Sequence, residues 1–434
     1  MNSVTIFEFG LIAPPGSNSH IDIQDIPEPV FLWLETCCLK SSVEGEIACL
    51  RLTQRHGRKA IQVTSFVGVL RAPNGFQIEV LPKIGKAISG GAEQARNLLI
   101  EMLRSLNGFR HIQTDSAKLS ATRMPLLEVF INEFLLAVDH VVKRGLRSDY
   151  STIQDDLFAL RGKLLVSQQI RRNLFRADRF FTEHDEFSPN RPENRLIHAA
   201  LRRALSISSS QGNQKFAREL SFVFSDITAS SDVTQDFKKV RIDRGMSHYG
   251  NALAWARLIL EGRSPLTGKG SESATSLLFP MEAVFESYVA KYLSKQLAKG
   301  LTLKTQAQSR HLVQHNSQSW FRLKPDLLVR NGAHNVLVLD TKWKLLDSAK
   351  ANGRDKYGLS QSDFYQLFAY GQNYLGGAGD IVLIYPKNDS FAHPLPEFRF
   401  SESNNLQLWV LPFCLESRKL LLPEGHPLHL KISP

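Results

Sequence analysis

The sequence predicts a multidomain α/β protein with a β-rich N-terminal domain, a helical middle region and a C-terminal α/β domain. Three observations carry this reading. Apolar runs broken by turn signals fill the chain up to residue 91. Apolar residues at helical spacing take over from Ala92. After a Gly/Ser-rich stretch, the order becomes helix, strand, strand, helix, strand. A chain of 434 residues is too long for one simple core. The expected segments are 1–91, 92–264, a linker at 265–276, and 277–434.

In the first segment EIACLRLTQ, AIQVTSFVGVL and FQIEVLPKI read as strands. His56-Gly57 lies in the first gap, and Asn74-Gly75, a strong hairpin signal, in the second. Ile61, Val63, Val67 and Val69 share one parity, so the middle run reads as a single half-buried strand, and the three strands as a projecting meander. AEQARNLLIEMLRSL, PLLEVFINEFLLAVDHVVKRGL and NRLIHAALRRALSI place apolar residues at i, i+3 and i+4 and predict helices. More helix is expected near FARELSFVFS and NALAWARLILEG, before the linker GRSPLTGKGSESATS. Pro280 then opens a helix over MEAVFESYVAKYLSKQL. WFRLKPDLLVR and NVLVLDTKWKLL follow as strands, SDFYQLFAYGQNYL as a helix, and DIVLIYP as a strand.

Composition narrows the function classes. No run of about 18 uncharged apolar residues occurs, so no membrane helix is expected. MNSVTIFEFG lacks a basic stretch followed by an apolar one, so a cytoplasmic protein is expected. Cys37, Cys38, Cys49 and Cys414 have no metal-ligand spacing. The net charge of +11 suits a polyanionic partner. Between Leu160 and Phe180 stand Arg161, Lys163, Arg171, Arg172, Arg176 and Arg179 against one acid, Asp178.

The chemistry concentrates in LKPDLLVRNGAHNVLVLDTKWKLL, residues 323–346. Apolar residues on both faces of NVLVLDTKW argue for a covered strand, from whose end Asp340 and Lys342 emerge on one face. A short connection, RNGAHN, lets the preceding strand bring Asp326 beside Asp340. Burying two carboxylates together is expensive unless a cation meets them. Oxygen donors suit Mg²⁺, or Mn²⁺, and Lys342 is placed to orient water or stabilise developing negative charge. Glu286, on the preceding helix, could supply a third ligand, with Glu282 one turn earlier as the alternative. Gln366 and Tyr370 stand at i and i+4 and face one way, while Ser360 and Asp363 read as a capping box.

Other signals are weaker. GRSPLTGKG has five residues between its glycines and Gly270 where a phosphate loop needs Ser or Thr, so the chain is not expected to hydrolyse nucleotides by itself. His315-Asn316 lacks the rest of a His-Asn-His pattern, and His311, His315 and His334 form no recognisable metal spacing. Phe364, Tyr365, Phe368 and Tyr374 read as packing residues rather than a base-stacking platform.

Pro325-Asp326, thirteen intervening residues and Asp340-Thr341-Lys342 match the PD-(D/E)xK nuclease motif, so residues 277–434 resemble a restriction-endonuclease-like α/β domain. FVGVLRAPNGFQIEVLPKIG, LRGKLLVSQQI, DEFSPNRPENRLIHAAL, MEAVFESYV and DFYQLFAYG extend the match. With them the chain resembles the McrC family, the nuclease subunit of the modified-cytosine restriction system. That resemblance implies an antiviral restriction enzyme that cleaves modified double-stranded DNA. It also implies a McrB-like AAA+ GTPase hexamer as partner, whose activity the chain stimulates and whose pore its N-terminal domain enters. The tips near Arg55, Arg58, Lys59 and Arg71 would then be the inserted finger. One centre cuts one strand per event, so nuclease domains are expected to pair during cleavage. Two other readings stay open: a non-catalytic activator of an AAA+ NTPase, and a stand-alone repair nuclease.

Overall fold

The computed structural model describes residues 3–16, 23–43, 49–55, 57–86, 91–106, 125–261, 276–400 and 405–432. The chain forms two compact units, Met1–Arg110 with Leu266–Pro434, and His111–Pro265. Among the described residues no helix is long and apolar enough to cross a membrane.

The first unit begins with β1 (Ser3–Phe7), β2 (Leu11–Ala13), β3 (Ile23–Asp25) and helix α1 (Glu28–Val43). β4 (Leu50–Arg55), β5 (Arg58–Val63), β6 (Phe66–Arg71), β7 (Gln77–Leu81) and α2 (Gly91–Leu103) follow. The middle run expected as one strand is two. The chain breaks at Thr64-Ser65, sending β5 into a sheet ordered β3-β2-β5-β4 and β6 into another beside β7 and β1. Both parities of β6 are therefore buried, which single-strand alternation does not anticipate. The Asn74-Gly75 turn joins β6 to β7; Gly75 takes φ +86°, and Asn74 Oδ1 accepts from Phe76 N at 3.1 Å. His56 lies outside the described residues.

The second unit contains α3 (Leu126–Arg144), β8 (Asp149–Leu157), β9 (Lys163–Leu164), α4 (Val166–Asn173), β10 (Phe180–Ser188), α5 (Pro192–Ile207), α6 (Gln211–Val223), α7 (Val233–Lys239) and α8 (Tyr249–Glu261). The amphipathic helices α3, α5, α6 and α8 bury Leu127, Phe130, Phe134, Leu196, Leu201, Leu220 and Trp255. β8 and β10 pair antiparallel along their length, β9 adds at the edge, and α4 lies on β10. The basic stretch expected within a helical region thus sits on a mixed β and helical arm. Asn194 anchors the NRPEN stretch: its amide donates to Arg147 O and Pro189 O and its Oδ1 accepts from the buried Tyr249 hydroxyl.

The expected linker, and the glycines of GRSPLTGKG, fall mostly within 262–275, outside the described residues. The chain then returns to the first unit with β11 (Ser276–Pro280), α9 (Met281–Gln296), β12 (Leu301–Thr305), β13 (Arg310–His315), β14 (Gln318–Leu323), β15 (Leu327–Asn331) and β16 (His334–Thr341). α10 (Gln361–Leu375), β17 (Ala378–Pro386), β18 (Phe398–Arg399), β19 (Asn405–Cys414) and β20 (Lys419–Leu420) complete it. β11 pairs antiparallel with β6, so segments expected as separate N- and C-terminal domains share one sheet. The seven-stranded sheet runs β12-β15-β16-β17-β19-β18, with β20 also on β19. β16 is central, antiparallel to β15 and parallel to β17. α10 packs Leu367, Tyr370 and Tyr374 into a core with Leu328, Val338, Ile381 and Leu383. α9 sets Phe285 against Trp343 and Phe413, with ring centroids 5.3 and 6.3 Å apart.

Candidate active site

The sheet register assembles the acidic pair. Leu327 pairs with Leu339, so Asp326 and Asp340 occupy the next step along neighbouring strands. Asp326 Oδ2 accepts from Thr341 N and Thr341 Oγ1, each at 2.8 Å. Asp340 is 1% exposed, in the middle of the sheet. Its Oδ2 lies 2.7 Å from Lys342 Nζ, a close ion contact without directional hydrogen-bond geometry. Lys342 N donates to Ile384 O at 2.9 Å, which prolongs the β16–β17 pairing past Thr341 and fixes the root of the lysine.

Helix α10 closes the other side. Gln366 Oε1 is 3.5 Å from Lys342 Nζ, and Gln366 Nε2 donates to the Tyr370 hydroxyl at 2.7 Å. That hydroxyl donates to Lys324 O at 2.9 Å, tying the helix to the turn that presents Asp326. Asp363 Oδ1 lies 3.8 Å from Lys342 Nζ. Ser360 stands at the helix start but makes no capping bond to the backbone; its hydroxyl pairs with Ser362 Oγ at 2.7 Å. The capping-box expectation is thus corrected: Asp363 faces the lysine.

Glu286 and Glu282 separate cleanly. Burial, then the charge of Asp326, pushes Glu286 up to about 7, with Asp340 adding to the push. Glu286 Oε1 accepts from Gln306 Nε2 at 3.2 Å, while Gln306 N donates to Asp326 O at 2.7 Å. Glu282 instead acts on Glu8 and Lys83. Asp340 is likewise pushed up to about 7 by burial and then by Asp326, with Lys342 pulling the other way. The lysine answers: burial favours its neutral form, but Asp340, Asp363 and Asp326 outweigh this and raise its affinity for the proton. Tyr370 is pushed up to about 12, chiefly by burial.

Lys342 is the cation in contact with Asp340, and it does not offset burial and the neighbouring carboxylate. Asp340 Oδ2 is buried without a hydrogen bond, and burial, with Asp326 adding its charge, pushes both Glu286 and Asp340 above the usual carboxylate range. Among the described residues no group of three or more acidic, histidine or cysteine side chains is placed to hold a metal ion. The donor set fits a hard divalent cation that keeps most of its coordination for water or a phosphate. His311 and His315 lie on the β13–β14 hairpin and His334 begins β16.

One feature was hidden from motif reading. Glu8 is buried and takes the indole N–H of Trp343 with both oxygens, at 3.1 and 2.9 Å, and the Lys83 backbone N–H at 2.9 Å. Lys83 Nζ donates to Trp343 O at 2.7 Å. Burial pushes Glu8 up to about 7. The N-terminal strand and the Pro82-Lys83-Ile84 stretch thus grip the residue next to Lys342. The signal in the sequence was Pro82-Lys83-Ile84 and Asp340-Thr341-Lys342-Trp343 standing together among the family landmarks.

Comparison with curated proteins finds no match. Among solved structures, a chain from the refined half-complex of the tetradecameric assembly of Thermococcus gammatolerans McrB AAA+ hexamers with bound McrC superposes with TM-score 0.65 and 20% identity. The match covers 95% of this chain and 94% of that one. A chain of the Thermococcus gammatolerans McrBC complex, from cryo-electron microscopy, matches with TM-score 0.48 and 22% identity over 68% of this chain and 88% of that one. The first likeness shows a shared fold over nearly the whole length. The family model for the McrBC 5-methylcytosine restriction system component matches residues 61–386, from the two N-terminal sheets through the acidic pair to the end of β17, and the chain belongs to that family.

Proposed function

We propose that the chain is the metal-dependent endodeoxyribonuclease subunit of a McrBC-like restriction system, cutting modified double-stranded DNA with a GTP-hydrolysing AAA+ partner. The observation that carries it is the convergence of Asp326, Asp340 and Lys342 at one strand end, with Asp340 Oδ2 2.7 Å from the lysine and Asp326 held by Thr341. Asp326 and Asp340 would hold Mg²⁺ or Mn²⁺, with Glu286 joining when ionised. When bound, the cation polarises the scissile phosphate and lowers the pKa of water. Lys342 orients the attacking water or meets the charge that grows on the phosphate as the new P–O bond forms and the ester P–O bond breaks. Gln366 positions Lys342, and Tyr370 positions Gln366. The test is plasmid cleavage with the partner, GTP and Mg²⁺. Asp340→Ala should abolish cutting; a wild-type rate in that variant overturns the site.

Partner binding follows from family membership, and the solved relative is described as bound to McrB hexamers. At the expected N-terminal finger, Arg58 pairs with Asp25 at 3.5 Å and the exposed Lys59 with Glu35 at 3.2 Å. The second unit offers a further surface. On and after α4, Val166, Ile170, Leu174 and Phe175 are 59%, 58%, 66% and 96% exposed, beside Arg171, Arg172 and Arg176. An apolar stripe left in water with a basic rim marks a protein contact. We assign the partner-facing surface to this arm.

A further inference from the structure

We propose that the β13–β14 hairpin is a duplex-DNA-binding element, seated in the major groove beside the cleavage site. This rests on the nuclease reading. The first observation is charge. Between Glu286 and Asp326 the sequence has no Asp or Glu and seven Lys or Arg, so the two acids of the candidate site bracket a wholly basic stretch. The second is exposure. Every residue from Leu312 to Arg322 is exposed, with Trp320 at 44% and Phe321 at 69%. A hairpin with no core of its own is marginal in water, and exposed aromatics on it call for an occupant.

The third observation is attachment. Both feet of the hairpin stand on the acidic centre. Before it, Gln306 bonds Asp326 O and Glu286; after it, Lys324 O accepts from Tyr370 and Leu323 O from Tyr374 at 3.0 Å. One face is ordered without acids. Arg322 is held by Gln308 Oε1 at 3.2 Å and lies 3.5 Å from His311 Nε2, and the His315 ring sits 4.6 Å from Trp320. Asn316 and Ser317 turn the tip at φ +47° and +61°, tightly enough to enter a groove. Six-residue strands reach about 20 Å, and the major groove, about 12 Å wide, admits a two-stranded ribbon. A polyanion with stacking bases complements a surface of Arg310, Arg322 and exposed aromatics, and DNA whose phosphodiester lies at the adjoining acids supplies one.

The test is fluorescence anisotropy of a labelled DNA duplex with the full chain in EDTA, over a salt series. Arg310→Ala combined with Arg322→Ala should weaken binding about tenfold or more and lower the log–log salt slope by nearly 2, at about 0.9 for each phosphate left unneutralised. Trp320→Ala should weaken binding with the slope unchanged. Thermal melts check that the hairpin variants stay folded. Wild-type affinity and slope in the double arginine variant overturn the proposal, as does a wild-type chain that ignores duplex DNA. If those variants bind normally while Asp340→Ala loses cleavage, the hairpin assignment fails and the nuclease reading stands.

Discussion

Asp340 combines near-complete burial, a neighbouring carboxylate and one cation that touches it without a directed bond. The sign of its effect on stability follows. An acid held at about 7 when folded, against about 4 when unfolded, binds its proton more tightly in the folded state. Its stabilising contribution is full below pH of about 4 and is lost as pH rises to about 7. Glu286 behaves the same way. The metal-free protein should therefore melt at a lower temperature at pH 8 than at pH 6, and Mg²⁺, which competes with those protons, should raise the melting temperature more at pH 8. Equal Mg²⁺ responses at the two pH values would remove these carboxylates as ligands. Asp340→Asn should cut cleavage by at least about 100-fold, the scale of removing one transition-state interaction, while raising the melting temperature without metal. A variant that is inactive because it is less stable contradicts this. The convergence of Asp326, Asp340 and Lys342 was legible because their spacing places them at neighbouring strand ends. Asp363 was misread because a helix-start acid commonly serves as a cap, and only the fold shows that it faces Lys342 at 3.8 Å.

At the scale of elements, two contacts decide how the first unit closes. Gly68 takes φ +130° in β6, and a Cβ there would lie 1.9 Å from Leu277 O on β11. Gly68→Ala should force β11 away from β6 and cost at least about 2 kcal/mol, read as a lower denaturation midpoint. The second contact is Glu8 with Lys83 and Trp343. Glu8→Ala leaves the Trp343 N–H and Lys83 N–H without acceptors, at about 1–3 kcal/mol, and loosens the strand end that carries Lys342. The expected result is a fall in kcat larger than the change in KM, with Glu8→Gln recovering most of it; an unchanged kcat refutes the coupling. Sequence periodicity found the central strand β16, the flanking helices and the Asn74-Gly75 turn, where local pattern and tertiary setting agree. It fused β5 with β6, because a break between two sheets at Thr64-Ser65 leaves the local apolar pattern intact. It also could not see β11 on β6, a pairing across some two hundred residues that no local period encodes.

For the whole molecule, cleavage and partner stimulation should be separable. The acidic pair belongs to the unit of Met1–Arg110 with Leu266–Pro434, and the exposed arm to the unit of His111–Pro265. Local composition exposed the arm's basic run but not the sheet that displays it. Gly162, at φ +70° and with a Cβ position 2.4 Å from Glu183 O, lets the Arg161-Gly162-Lys163 turn lie on β10. Gln169 then pins α4, accepting from Phe181 N at 2.6 Å and donating to Arg179 O at 2.7 Å. With the helix held by one face, Val166 and Ile170 point outward at i and i+4, next to Phe175. Replacing Ile170 and Phe175 by Ser removes apolar surface already in water, so the melting temperature should change little. GTP hydrolysis by the partner should then lose its stimulation by about tenfold or more, the scale of a buried aromatic anchor at an interface. Asp340→Ala should leave the stimulation at the wild-type level while abolishing cuts. If Ile170→Ser with Phe175→Ser stimulates fully, the partner surface lies elsewhere. If Asp340→Ala loses stimulation as well, the carboxylate centre and the partner contact are one coupled system.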